Sequence, residues 1–261
     1  MLHREEPDGL VVITQPAHAW ISGQLARAWG ADRFPPPEPR EEVCLAAEQH
    51  DNGWTAWEQA PTLNPKTGRP YAFLEMPVAE HVAIWSGAAR WSAVLSRYAA
   101  LLVALHGTGL YRKYYTPGGS PEEDELVGRF LVQQEELQSG LLSSLRRDPY
   151  YAPYAADEKV AINRRLVGLW DGMSLAICHG VRKPRSLPTV YAADRTEELY
   201  LSPVDGDPTR LVVEPWPFVE PEVTLVCEGR RLLETFDDQE AMRAALAAAP
   251  CVVLTTTLTP Q

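Results

Sequence analysis

The pattern of the chain changes near residue 185, and that change limits what it can fold into. Upstream, apolar residues recur at helical spacing. Downstream come short runs, Leu211-Val212-Val213, Val223-Thr224-Leu225-Val226 and Val252-Val253-Leu254, bounded by turn-forming residues. The expected fold is mainly α: a helical body over residues 1–185, with a small C-terminal β-rich (α+β) appendage over 186–261 packed on it. One short strand, Leu10 to Thr14, precedes the first helix; it is a candidate to join the tail strands in one sheet and tie the two ends together. The proline-rich stretches 35–39, 64–70 and 116–121 read as loops.

Within the helical body, the first helix is expected to open at Pro16 and run to about Trp29, with Gly30 as its stop. Its inward stripe is His18, Ile21, Leu25 and Trp29, because offsets of 3, 7 and 11 return to one side of a helix. A second helix starts near Glu41-Glu42, acids that suit the positive end of its dipole. Val43, Ala47 and His50 share a face there, and Asn52-Gly53 breaks the helix just after Asp51. A late helix from about Ala156 to Cys178 places Asp171 on a stripe with Val160, Val167, Ser174 and Cys178. A carboxylate among apolar neighbours needs a partner, either a metal ion or an arginine such as Arg164 or Arg165. Ser120 with Glu123 predicts a helix start and a helix through about Arg146. Asp237-Asp238 starts a short helix that ends at Pro250.

Four histidines and two aspartates then fall in an order that suits a metal cage: His18, His50-Asp51, His81, His106 and Asp171. Neutral imidazole and ionised carboxylate are ordinary ligands of zinc, iron and manganese, and a carboxylate between two cations can bridge them. On one unbroken helix, His81 and His106 would lie about 37 Å apart. A chain reversal near Ser86-Gly87 would instead bring them together as two arms of an antiparallel hairpin. The plainer alternative is that these histidines are scattered core and surface residues. His3 and His179 stand outside the set, His179 as a helix C-terminal cap.

Composition narrows the partners. The net charge of -11 repels phosphate backbones and acidic lipid surfaces, so neither nucleic acid nor a membrane is expected as a partner. Cys44, Cys178, Cys227 and Cys251 form no CxxC pair, which predicts buried thiols rather than a structural zinc knuckle or a disulfide framework. No stretch approaches the roughly 18 apolar residues of a membrane span, and the first residues lack a signal-peptide core. A cytoplasmic location with a small-molecule substrate is the expectation. The β-rich tail is a candidate lid or homodimer surface.

The order His18, His50-Asp51, His81, His106, Asp171 resembles the HD-domain superfamily of metal-dependent phosphohydrolases. The string His50 to Trp54, HDNGW, is also similar to that of a bacterial family of unknown function, and the resemblance spans roughly residues 10 to 180. It implies an HD-domain-like helical bundle in which His18, His50, Asp51 and Asp171 hold one ion. Where a second ion is present, His81 and His106 bind it with the bridging Asp51. Many two-metal members carry a lysine three residues after the HD aspartate, where this chain has Trp54. The GYP-type signature of the cyclic-dinucleotide branch is absent after His106.

Two chemistries suit such a set of one or two Fe, Mn or Zn ions. In the first, a two-metal-activated water attacks a small phosphate ester or related metabolite, with Asp51 as the catalytic shared ligand. Lys113, Arg129, Arg164 and Arg165 are the candidate cations for substrate anions. In the second, the site resembles the diiron oxygenases of the same superfamily, with Trp54, Trp57 and Tyr111 as an aromatic wall. A non-catalytic metal-binding sensor or interaction module is the third reading. Hydrolysis is the commoner outcome on such folds and is the leading expectation.

Overall fold

The computed structural model describes residues 1–31, 33–191 and 196–261. The chain opens with an antiparallel hairpin, β1 (Leu2–Glu6) and β2 (Gly9–Ile13). The first helix, α1 (Gln15–Ala28), begins where the Thr14 hydroxyl accepts from the Ala17 N–H, with Pro16 preset for its first turn. After the proline loop come α2 (Arg40–Gln49), a 3-10 turn (Asn52–Trp54) and the short α3 (Thr55–Gln59). The 64–70 segment expected as a loop is instead the turn of a small hairpin, β3 (Leu63–Asn64) with β4 (Arg69–Pro70).

Four longer helices follow: α4 (Val78–Ala93), α5 (Arg97–Tyr114), α6 (Pro121–Arg146) and α7 (Asp157–His179). The reversal between α4 and α5 lies at Val94-Leu95-Ser96 and not at Ser86-Gly87, which is inside α4. Ser96 sets the start of α5 by accepting from the Ala99 N–H at 3.3 Å. None of the helices is long and apolar enough, among the described residues, to cross a membrane.

The remainder of the chain is β5 (Arg185–Ser186), β6 (Val190–Tyr191), β7 (Thr196–Glu197), β8 (Tyr200–Val204), β9 (Asp207–Glu214), β10 (Val223–Leu232), α8 (Gln239–Ala248) and β11 (Cys251–Thr259). Seven strands form one sheet in the order β1-β2-β10-β11-β9-β8-β5. All neighbours are antiparallel except β11 and β9, which run parallel. This overturns the expectation of a mainly α, HD-domain-like bundle with a small β appendage. About 50% of the chain is helical and 21% is strand, and the sheet is a full layer rather than an appendage. The physical reason lies in β10: Val223, Leu225 and Cys227 are buried while Thr224, Val226 and Glu228 are exposed. A strand of that length with one apolar face requires a packed layer, and α1 supplies it. Gln24 of α1 both donates to the Val226 carbonyl (2.8 Å) and accepts from its N–H (3.0 Å), fixing helix to strand.

The main core lies between this sheet and the helices α1, α2, α5 and α7. At its centre Trp29 meets Phe34, Trp170 and Phe218 edge-on, with ring centroids 5.4, 5.7 and 6.0 Å away. Each such fully buried side chain contributes about 1.5–3 kcal/mol. The 214–218 segment brings Phe218 here by wrapping over α1, where Val219 N–H donates to the Ala28 carbonyl. Three of the cysteines are buried thiols as expected, but Cys251 is exposed, because it opens β11 at the end of the sheet.

Candidate metal centre

Helix α1 points His18 into the interior beside Ile21 and Leu25, and His18 is fully buried. Helix α2 ends at His50, also fully buried. Asp51 leaves helical geometry (φ -106°, ψ 18°), which frees its carboxylate to turn back toward His18. The next two residues pin that turn. A Cβ on Gly53 would stand 2.6 Å from the Ile84 carbonyl oxygen of α4, so only glycine lets the two backbones approach. Asn52 meanwhile donates to the Ser92 hydroxyl at 3.0 Å. Helix α5 contributes His106 and α7 contributes Asp171.

Five of the six residues singled out by sequence converge. Their ligand atoms form two overlapping groups, His18-His50-Asp51 and His50-His106-Asp171, each with all atoms within 4.8 Å of one another, so these residues could hold a metal ion. His18 Nε2 is 2.7 Å from Asp51 Oδ2. His50 Nε2 lies 3.3 Å from Asp171 Oδ1 and 3.6 Å from Asp51 Oδ2. His106 Nε2 lies 3.6 Å from Asp171 Oδ2.

The tautomer of His50 follows from its other nitrogen. Nδ1 is 2.7 Å from the Ala47 carbonyl oxygen, which can only accept, so Nδ1 carries hydrogen. The neutral ring then presents a bare Nε2, and that atom is buried without a hydrogen-bond partner among the described residues, facing two carboxylates. Two carboxylates fanned around an unpartnered imidazole nitrogen call for a cation between them. A proton can serve in its place: burial is the largest influence on His50 and lowers its pKa, but Asp51 and Asp171 together carry it up to about 9. Burial raises the Asp171 pKa, yet His50, His106 and His18 hold it well below the ordinary carboxylate range. His106 is brought down to about 4 by burial, against the pull of Asp171.

His81 stands outside both groups. Trp85 Nε1–H donates to its Nε2 at 3.2 Å, and its Nδ1 is 2.6 Å from the Tyr111 hydroxyl. Burial brings its pKa down to about 4 although Asp51 opposes this. Trp54 packs on His81 (5.5 Å) and on Trp57 (5.7 Å), and Tyr111 packs on His81 (5.3 Å), so the three aromatic residues named from the sequence are connected through His81. The expected cations do not gather there. Arg129 pairs with Glu125 on the exposed side of α6, the Lys113 ammonium lies 4.7 Å over the Tyr114 ring, and the Arg164 guanidinium lies against Gly109. Arg165 is an exposed residue of α7.

Two contributors carry no role in the sequence reading. Ser174 Oγ is 2.8 Å from His18 Nδ1, accepts from the Ser22 hydroxyl at 2.9 Å and donates to the Asp171 carbonyl at 2.9 Å. Its signal was a hydroxyl three residues after Asp171 on an otherwise apolar stripe. Trp85 touches both His81 and His106, the latter at 5.9 Å, and its signal was the i, i+4 spacing from His81.

No curated protein and no solved structure matches this chain. The model of DUF3891, a protein family of unknown function, matches residues 1–234, a span that holds every residue of the centre, and the chain belongs to that family.

Proposed function

We propose that this chain is a metal-dependent hydrolase with the HD-type order of ligands, holding one divalent iron, manganese or zinc ion. The observation that carries the reading is the buried, unpartnered Nε2 of His50 between Asp51 and Asp171. The two ligand groups share His50, and with Nδ1 committed to Ala47 the ring has a single lone pair to give. They therefore describe one ion position held by His18, His50, Asp51 and Asp171, with His106 beside it.

A bound divalent ion would lower the pKa of a water and polarise the scissile group of a substrate. His18 and His50 would be its neutral ligands, with His106 beside them, and the two aspartates would balance the charge of the ion. Asp51 Oδ2 stands 2.7 Å from His18 Nε2, so that oxygen would face the ion the two residues share, and the other oxygen would be left to take a proton from an attacking water. Asp171, 9% exposed, and His106, 6%, are the least buried of the five residues, so substrate would approach from their side.

The test is the metal content, by plasma mass spectrometry, of protein purified without chelator or a nickel column. About one ion per chain is expected, and Asp51→Ala should lose it while keeping the helical circular dichroism. Two ions per chain would overturn the single position. No ion, even after reconstitution with iron, manganese or zinc, would overturn the hydrolase reading altogether.

A further inference from the structure

Two hydrogen-bond donors against His81 have no acceptor among the described residues. An indole nitrogen can only donate, so the Trp85 contact makes His81 Nε2 an acceptor. The neutral imidazole then carries its hydrogen on Nδ1 and gives it to the Tyr111 oxygen at 2.6 Å. Tyr111 is thereby the acceptor of that bond, and its own O–H hydrogen is left for another group. Trp54 also packs on His81, and its indole N–H is buried with no partner among the described residues. Buried donors are rarely left unmet, and two of them against one ring next to the candidate metal centre call for an acceptor.

We infer that Trp54 Nε1–H and the Tyr111 hydroxyl donate to the oxygen of an uncharged substrate, a carboxylic ester or similar carbonyl compound, rather than to a phosphate. This rests on the hydrolase reading above. The charge around these donors supports it: one divalent ion only cancels Asp51 and Asp171, and Glu80 adds a carboxylate where it accepts from Trp57 and Thr62. Trp54 itself occupies the position three residues after Asp51 and offers a neutral donor there. Of the four cations considered for a phosphate, Arg129 and Lys113 are engaged with Glu125 and the Tyr114 ring, and Arg164 and Arg165 are exposed residues of α7.

The experiment uses metal-loaded full-length protein and two probes. Calorimetric titration with acetamide, an uncharged carbonyl ligand, measures binding; p-nitrophenyl acetate and p-nitrophenyl phosphate report hydrolysis. Tyr111→Phe, which keeps the ring, and Trp54→Phe should each weaken acetamide binding about tenfold with the ion content unchanged, and the acetate ester should be the better substrate. Unchanged affinity in the well-folded Tyr111→Phe protein, or preference for p-nitrophenyl phosphate, overturns the assignment while leaving the metal centre standing. Absence of any bound ion in the unsubstituted protein overturns the hydrolase reading and this assignment with it.

Discussion

Ser174 shows how much of a metal site is decided by residues that never touch the ion. If His18 offers Nε2 to a cation, its Nδ1 must carry hydrogen, and the Ser174 oxygen at 2.8 Å is the acceptor that holds the ring in that tautomer. The Ser22 hydroxyl and the Asp171 carbonyl complete the four-residue network, so Ser174 ties α1 to α7 at the depth of the ligands. Ser174→Ala should weaken metal binding by about 10–100-fold, read by competition with a chromogenic chelator, with little change in secondary structure. Undiminished affinity would mean that His18 is not a ligand through Nε2. His50 gives a second expectation, with a definite sign. Its pKa is raised from the ordinary 6.5 to about 9 by Asp51 and Asp171 in spite of burial. In the metal-free protein it therefore contributes stability that is fully present below 6.5 and is lost as pH rises through about 9. An ion must displace that proton, so apparent metal affinity should climb with pH and level off near 9. Calorimetric titrations of metal in two buffers of different ionisation enthalpy would measure the released proton; identical heats at neutral pH would contradict it.

The helices differ in how plainly their residues announce them. Three starts with polar caps were legible: Thr14 before α1, Ser120 before α6 and Asp238 before α8 each accept a backbone N–H of the first turn, whereas the start of α5, capped by Ser96, was not legible. Nor was the end of α4. Gly87 suggested a reversal, yet it sits mid-helix with only the Trp91 ring nearby, 3.4 Å from where a Cβ would be, while the true break at Val94-Leu95 contains no glycine or proline. Tertiary packing sets that break: α4 is held against the 3-10 turn by Gly53 and against α5 by Gly107. A Cβ on Gly107 would lie 2.7 Å from the Trp85 ring. The two glycines should therefore respond in opposite directions to the same substitution. Gly87→Ala removes a flexible residue from a helix interior and should stabilise the protein by up to about 1 kcal/mol. Gly107→Ala drives a methyl into Trp85 and should cost about 1–3 kcal/mol. Urea denaturation measures both, and equal effects would show that α4 and α5 do not meet as described. The ligands converge despite the misplaced break, because His81 and His106 lie on helices that reverse between them wherever the turn falls; which histidine reaches the ion was not readable, since it depends on Trp85 and Tyr111 engaging His81.

At the scale of the whole molecule the sheet makes the two ends of the chain depend on each other. Its strands were visible one by one as short alternating runs, but sheet order is set by pairings between residues some two hundred positions apart, such as Arg230 with Val12 and Leu232 with Leu10. No local periodicity carries that information, which is why a full layer read as an appendage. The consequence concerns β11. It lies between β10 and β9, so it joins the half of the sheet that seats α1 to the half formed by β9, β8 and β5. The family match ends at residue 234, before α8 and β11, and all five converging ligands lie within it. A chain ending at Glu234 would therefore retain the ligands and lose the strand that joins the two halves. Two apolar strand edges would be opened at once, Leu258 would leave the core, and β10 would keep only its three-residue pairing with β2. Because His18 is positioned by α1, and α1 by the Gln24–Val226 bonds to β10, loosening β10 should loosen the ligand. The truncated chain should aggregate or unfold without cooperativity, and it should bind metal far more weakly than the full chain when both are compared in the same chelator competition. A truncated chain that melts cooperatively and holds its ion as tightly would place the organisation of the centre in the helices alone, with the sheet reduced to a covering layer.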